Sequence, residues 1–599
     1  MQTQLRYWSY YGMTETFDEL YRGSKEGKSF ERLYDIITSR ENILLAYRTI
    51  KTNKGSKTPG VDGRTIKDFQ NLSEEGLVSF IKKRLSNYQP MKVRRVFIPK
   101  PNGSVRPLGI PSMSDRIIQQ AFKQVLEPIC EAKFYNHSYG FRPLRSTHQA
   151  LARVSSLINL TKLHYVVDID VKGFFDNVNH TLLLKQLWNI GIKDRIVLRI
   201  ISKMLKAEID GEGIPTKGTP QGGILSPLLS NVVLNDLDQW VYGQWENFKT
   251  RTGYDNPSNK YRAIKKTKLK EGYIVRYADD FKILCRDWKT ANKWYHAVRL
   301  YLKDRLKLDI SPEKSKVVNL RKNKSEFLGF TLKAETKGRK YVARTGITAK
   351  KKEQHKVKGR RLIKQLQKNP TPQNALLYNS WVLGIHNYSK RATLVNIQFA
   401  NIAFQLSRAL YNRLNRVSKY GYPINAPPSY KKFYKCSIKT YRFGDVYLYP
   451  LMDVKFETPL GFSQYLTPFT EQGRQYIHME LKGNVLIEIR KLMKSNIPNR
   501  SIEYFDNRIS RYSMKSGRCE ITGNFLPAEH VHCHHYVPIS LGGTDDFKNL
   551  RIIDKFAHKL IHATNSETIN KYLKLLNLKS QAIEKVNNYR EKCHLEPIC

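Results

Sequence analysis

The chain has 599 residues, and 103 Lys and Arg against 52 Asp and Glu leave a formal charge of +51. A hydrophobic fraction of 40%, with 35 Tyr and 25 Phe, argues for folded domains over disorder, roughly three to five at ~100–200 residues each. No apolar run approaches the ~20 residues that span a bilayer, and the first twenty residues carry neither a basic nor an apolar leader segment, so neither a membrane protein nor a secreted scaffold is expected.

The cysteines are scattered and odd in number, which suits a reducing compartment such as the cytoplasm. The surplus positive charge repels itself unless a polyanion neutralises it, and nucleic acid is the usual one.

In chain order, residues 1–90 read as helices around a Gly-rich polar loop, Thr52–Gly63. From Lys92 to Arg286 short β-rich runs alternate with amphipathic helical stretches, an α+β pattern. The segment Lys333–Lys364 is strongly basic and marks a boundary, and Pro372–Tyr420 is helix-like. A Pro- and Tyr-rich break at Tyr422–Tyr430 precedes weakly patterned sequence near 450–510. A Cys/His-rich module runs from about Cys519 to His562, and a polar helical tail follows.

Two segments carry the main chemistry. His164–Asp176 (HYVVDIDVKGFFD) is a β-run ending in Asp170, and Tyr273–Arg286 (YIVRYADDFKILCR) is two apolar β-runs with Asp279 and Asp280 between them. Consecutive acids in an apolar hairpin repel each other and lose solvent, so something must neutralise them. Two divalent cations ~3.5–4 Å apart do so and serve nucleotidyl transfer. Asp170 and Asp279 are the expected ligands, with Asp280 supporting.

At this point the sequence resembles the reverse transcriptase/maturase proteins encoded by group II introns, over nearly the whole chain. Thr52–Gly63 resembles the family's template lid and Val96–Pro111 its fingers hairpin. Tyr139–Ser146 (YGFRPLRS), Thr219–Asn231 (TPQGGILSPLLSN) and Glu326–Phe330 (EFLGF) match further blocks in the family's order. Lys100 and Arg106 flank a Pro-Asn-Gly turn and would face an incoming deoxynucleoside triphosphate. Gln221 lies among glycines that let backbone approach a substrate. The resemblance implies that Phe175 excludes a ribose 2′-hydroxyl and that Lys314 lies near the leaving phosphates. The alternatives are a core aromatic and a surface lysine.

Lys350, Lys351, Lys352, Arg360 and Arg361 would suit an RNA backbone, as would Lys390 and Arg391 in the maturase-like stretch Leu377–Thr393. In the last module His534, His558 and His562 would hold a divalent metal, Mg²⁺ or similar. His535 would point to the other face of the strand as general base, oriented by Asn549. This pattern resembles HNH endonucleases. The two Cys-x-x-Cys pairs of many such domains are not present here, since Cys519 is followed by Thr522 and the later segment reads Asp554-Lys555-Phe556-Ala557, so no structural zinc is expected.

The expected architecture is a multidomain α+β right-hand polymerase (fingers, palm, helical thumb/maturase) followed by a DNA-binding segment and a ββα-metal HNH domain. The expected divisions are 1–90 (lid), 91–335 (fingers and palm), 336–450 (thumb), 451–512 (DNA-binding), 513–570 (HNH) and 571–599 (tail). The resemblance implies RNA-directed DNA synthesis with two Mg²⁺ ions, splicing of the host intron RNA, and cleavage of target DNA in intron mobility. A splicing-only maturase and a retron or defence reverse transcriptase are the alternatives.

Overall fold

A computed structural model describes residues 2–99, 103, 105–459, 466–475, 488, 489, 491, 492, 495, 497, 500–578 and 580–598. Lys100 and part of the expected DNA-binding segment lie outside the described residues. Two units each gather segments far apart in sequence: Met1–Phe134, Phe175–Val232 and Tyr465–Cys599 in the first, Tyr135–Phe174 and Val233–Gln464 in the second.

The first unit centres on the helix Met113–Lys133, started by Ser112, whose hydroxyl accepts from the Asp115 N–H. Ile117, Phe122, Val125 and Ile129 are fully buried on it, because the helices Thr14–Lys25 and Arg40–Lys51 cover it. The loop Thr52–Gly63 is braced on this helix. Arg116 donates to the carbonyls of Gly55 (2.9 Å) and Thr58 (2.7 Å), and a Cβ on Gly60 would lie 2.7 Å from the Ser112 Cα. The strands Arg94–Pro99 and Val105–Ile110 pair antiparallel, with Arg106 opposite Ile98.

Within this unit residues 1–90 pack against C-terminal segments. The helix Ile502–Met514 meets the helix Arg40–Lys51 through buried ion pairs, Arg48 with Asp506 and Lys51 with Glu503 (2.5 Å) and Asp506 (2.9 Å). Arg474 likewise bonds Asp18 at 2.6 Å. Burying a charge is tolerated only with such a partner.

The second unit carries a four-stranded antiparallel sheet in the order Tyr273–Tyr277, Asp280–Cys285, Tyr165–Ile169, Lys316–Asn319. A second sheet, Ser325–Phe327, Phe330–Lys337 and Lys340–Ile347, leads into the helices Ala349–Lys368, Pro372–Ser389 and Val395–Leu414. The expected boundary at 335/336 falls inside a strand of this sheet, whose last two strands pair from Phe330↔Ile347 to Lys337↔Lys340. Leu362, Leu366, Tyr378, Val382, Phe399 and Leu406 share one buried core, so Tyr378 is a packing residue. No described helix is long and apolar enough to cross a membrane.

Candidate catalytic sites

The first site forms at the end of the four-stranded sheet. Ile169 pairs with Phe281, so the next positions along their strands, Asp170 and Asp280, stand side by side where the ladder stops. Tyr277 pairs with Asp280, leaving Ala278 and Asp279 as a two-residue turn. Ala278 has φ +57°, a conformation that costs a non-glycine residue roughly 1–2 kcal/mol.

Two features hold that turn. The Arg276 side chain, fully buried, donates to both carboxylate oxygens of Asp238 (2.6–2.9 Å) and, through Nη1, to the Ala278 carbonyl (2.8 Å). Gly140 lies against the turn so closely that a Cβ would be 2.2 Å from the Ala278 nitrogen. Only glycine fits there, which gives the Tyr139–Ser146 block a structural task.

Each acid beside the turn has a protein cation near it. Lys314 Nζ is 3.2 Å from Asp170 Oδ2, and Lys282 Nζ is 3.0 Å from Asp168 Oδ1 and 3.8 Å from Asp280 Oδ1. Burial pushes the Asp280 carboxyl above its usual range, offset in part by Lys282 and by the Leu328 N–H, while Asp168 and Asp279 add to the rise. The Leu328 carbonyl in turn accepts from the Tyr388 hydroxyl at 2.6 Å, so the Pro372–Ser389 helix braces the residue that bonds Asp280. Sequence reasoning missed Asp168, which is buried and bonded by Lys282 and Ser325. Its position two residues before Asp170 on one strand was the available signal.

Oxygen donors at a carboxylate cluster fit Mg²⁺. Lys314 already presents a cation to Asp170, so the place suits positive charge.

The other expected substrate contacts belong to the first unit. Gln221 has its carbonyl bonded by the Gly109 N–H (2.6 Å) and its side chain donating to Asp176 Oδ1 (3.4 Å). A Cβ on Gly222 would lie 2.3 Å from the Gly109 carbonyl oxygen. Phe175 is half-buried, and its carbonyl accepts from the Thr219 N–H at 2.7 Å. Arg106 is exposed near the hairpin tip.

The basic residues expected to meet RNA divide into two groups. Lys350, Arg360 and Arg361 are exposed, and Lys352 is half-buried, on the helix Ala349–Lys368. Lys351 is instead turned onto the Tyr388 ring, its Nζ 3.9 Å from the centroid. Lys390 and Arg391 both bond Glu457, at 2.7 and 2.8 Å. These three therefore already have partners within the protein.

The second site lies in the first unit. The strands Val531–His535 and Leu550–Asp554 pair antiparallel, and the helix Lys555–His562 follows, capped by Asp554. His534 Nδ1 is 3.2 Å from His558 Nδ1, the His532 and His558 rings stack at 3.5 Å, and the His534 and His562 centroids are 5.4 Å apart. His532, His534 and His558 have ligand atoms within 4.8 Å of one another. Burial, then mutual repulsion, pushes His532 down to about 4 and His534 and His558 to about 3. Neutral imidazoles are the form that ligates metal, and nitrogen donors suit zinc or another transition metal better than the Mg²⁺ expected here. His532 was missed, although its alternation with His534 on one strand places both on the same face.

His535 points the other way and bonds Asp545 through Nε2 at 2.8 Å. Asn549 does not orient it. The Asn549 side chain accepts from the Val537 N–H and donates to the Val537 and Thr544 carbonyls, so it ties the loop while Asp545 holds the ring. Burial raises the Asp545 carboxyl, but bonds from His535 and Ser501 bring it below the usual range overall. Cys519 is buried, and its Sγ accepts from the N–H groups of Thr522 (3.4 Å) and Asp554 (3.3 Å).

The four-stranded sheet with its paired acids lies within residues 98–332, which match the reverse transcriptase (RNA-dependent DNA polymerase) family. The chain is 35% identical over 309 residues to Protein YkfC of Escherichia coli K12, covering 48% of this chain and 79% of that protein. It is 31% identical over 365 residues to the group II intron-encoded protein LtrA of Lactococcus lactis subsp. cremoris, covering 54% of this chain and 59% of that one. A putative COX1/OXI3 intron 1 protein of Saccharomyces cerevisiae is 28% identical over 337 residues, covering 50% of this chain and 39% of that protein. The chain belongs to the group II intron reverse transcriptase/maturase family. Its match spans less than two thirds of the intron-encoded relatives named here.

Proposed function

We propose that the chain copies RNA into DNA, assists splicing of the intron RNA that encodes it, and cleaves target DNA through its histidine module to support intron mobility. The observation that carries the polymerase reading is the intact acid group at the end of the sheet, Asp170 and Asp280 side by side with Asp279 in the clamped turn. A splicing-only maturase would not need these acids. The basic helix Ala349–Lys368 and the histidine module favour an intron protein over a retron or defence enzyme.

Asp170, Asp279 and Asp280 would hold two Mg²⁺ ions, which when bound activate the primer 3′-hydroxyl and stabilise the leaving pyrophosphate. Lys314 supplies positive charge beside Asp170 and would lie near the leaving phosphates. Lys100, Arg106, Gln221 and Phe175 would bind or select the deoxynucleotide. Lys350, Lys352, Arg360 and Arg361 would contact RNA phosphates.

In the nuclease module His534, His558 and His562 would hold a metal that polarises the scissile phosphodiester. His535 gives its Nε2–H to Asp545, leaving Nδ1 to take a proton from the attacking water.

Primer extension on an RNA template tests the main reading. Asp279→Ala should reduce extension by orders of magnitude and leave intron RNA binding and splicing intact. Full extension by the purified variant would overturn the acid-site assignment.

A further inference from the structure

The helix Ser580–Lys592 brings one more donor to the histidines. The Cys593 Sγ and ring nitrogens of His534 and His562 lie within 4.8 Å of one another. Cys593 is a free, half-buried thiol.

Its position is fixed by the same turn of chain. Arg590 donates through Nη1 to the carbonyls of Leu560 (3.1 Å), Ile561 (3.0 Å) and Ala563 (2.7 Å). It thereby satisfies the open end of the helix that carries His558 and His562. The Cys593 N–H donates to the Arg590 carbonyl at 2.9 Å, and the Tyr589 ring lies 5.5 Å from that of His534. Three neighbouring residues of the tail therefore reach the histidine cluster.

The cluster also contains an unanswered polar atom. His534 is 3% exposed, and its Nε2 is buried with no hydrogen-bond partner among the described residues. A buried nitrogen left without a partner has lost its hydration with nothing in exchange. A cation shared with His562 and Cys593 would answer it.

We propose that His534, His562 and Cys593 hold a zinc ion, with the C-terminal tail supplying a thiolate to the histidine site. On binding, the Cys593 S–H bond breaks, its proton passes to solvent and an S–Zn bond forms, with no change of oxidation state. Two imidazoles and one thiolate match zinc, with Cys593 in the place that the nuclease reading gives to His558; they leave a fourth position for water or a phosphate oxygen and exclude Mg²⁺ as the preferred ion. The inference rests on reading the histidines as a metal site and is independent of whether they cleave DNA.

Cobalt(II) is the probe, on the full-length protein. Thiolate ligation gives a near-ultraviolet sulfur-to-cobalt charge-transfer absorption that imidazole ligation does not. The band should be present in the unmodified protein and in Cys519→Ser, and absent in Cys593→Ser. Zinc content, a full equivalent in the unmodified protein, should fall in parallel, and His562→Gln should also lose the band. A melting curve on each variant checks that it is folded.

Cobalt bound without the band, no cobalt bound, or a band that survives Cys593→Ser would each overturn the proposal. A DNA nicking assay separates this from the nuclease reading. The band without nicking leaves the zinc site standing and removes the endonuclease, whereas nicking without the band removes only the Cys593 ligand.

Discussion

The two sites prepare for a cation in opposite ways. At the end of the sheet the acids are matched by protein cations: Lys314 on Asp170, Lys282 on Asp168, and Arg276 on Asp238 beneath the turn. In the histidine module the rings of His532, His534, His558 and His562 crowd one another, and among the described residues none bonds a carboxylate. The first site is charged and held open by ion pairs. The second is built of neutral imidazoles and held by packing, with Asp545 turned to the other face of the strand on His535.

The difference bears on what a mutation does. In the histidine module, removing the base leaves Asp545 half-buried but still bonded by Ser501, so the chemistry should fail while the fold survives. His535→Ala is expected to lower DNA nicking by about 10²–10⁴-fold with cDNA synthesis from a supplied primer unchanged. Asp545→Ala should cost less, on the order of 10–100-fold, and Asp545→Asn, which still accepts from the ring, should restore much of that. Nicking that is unaffected by His535→Ala would show that the base lies elsewhere.

In the charged site the same kind of deletion should strike the fold. Arg276→Met leaves Asp238 buried without its partner and frees the Ala278 carbonyl, at an expected cost of about 3–5 kcal/mol. Denaturant melts of the protein would measure it. Primer extension should fall as well, because the turn bearing Asp279 loses its clamp. A variant that melts like the parent would mean that Arg276 is not holding the turn.

The same contrast explains what the sequence made legible. Acids between apolar runs and histidines at strand and helix spacing are local patterns, so Asp170, Asp279, Asp280, His534, His535, His558 and His562 could be read directly. Their supports could not. Asp238 meets Arg276, and Asp168 meets Lys282, only once strand register is set. Arg48 reaches Asp506 across most of the chain, and Cys593 belongs to a tail whose own sequence carries no metal motif. Asn549 was misassigned because motif spacing gives neighbourhood and not hydrogen-bond direction. The two units were illegible for a related reason: sequence boundaries follow composition, whereas these units follow packing between distant segments.

The smallest expected effect tests matched against unmatched charge along the basic helix and beyond it. Lys390 and Arg391 already share Glu457, whereas Lys350, Lys352, Arg360 and Arg361 are shown in no ion pair with a described residue. A lysine or arginine that bonds phosphate releases counterions, and removing one such bond flattens the slope of log affinity against log salt by about 0.7–0.9. Replacing the four helix residues with Ala should therefore reduce that slope for intron RNA by up to about 3–4. Replacing Lys390 and Arg391 should change the slope little and lower stability instead, since Glu457 would lose both partners. Exposed pairs of this kind contribute about 0–1 kcal/mol each, so the melting shift should be small. RNA titrations at several salt concentrations distinguish the two sets. A full slope change from the Lys390 and Arg391 pair, with none from the helix, would place the RNA-binding surface around Glu457 and overturn the division drawn between them.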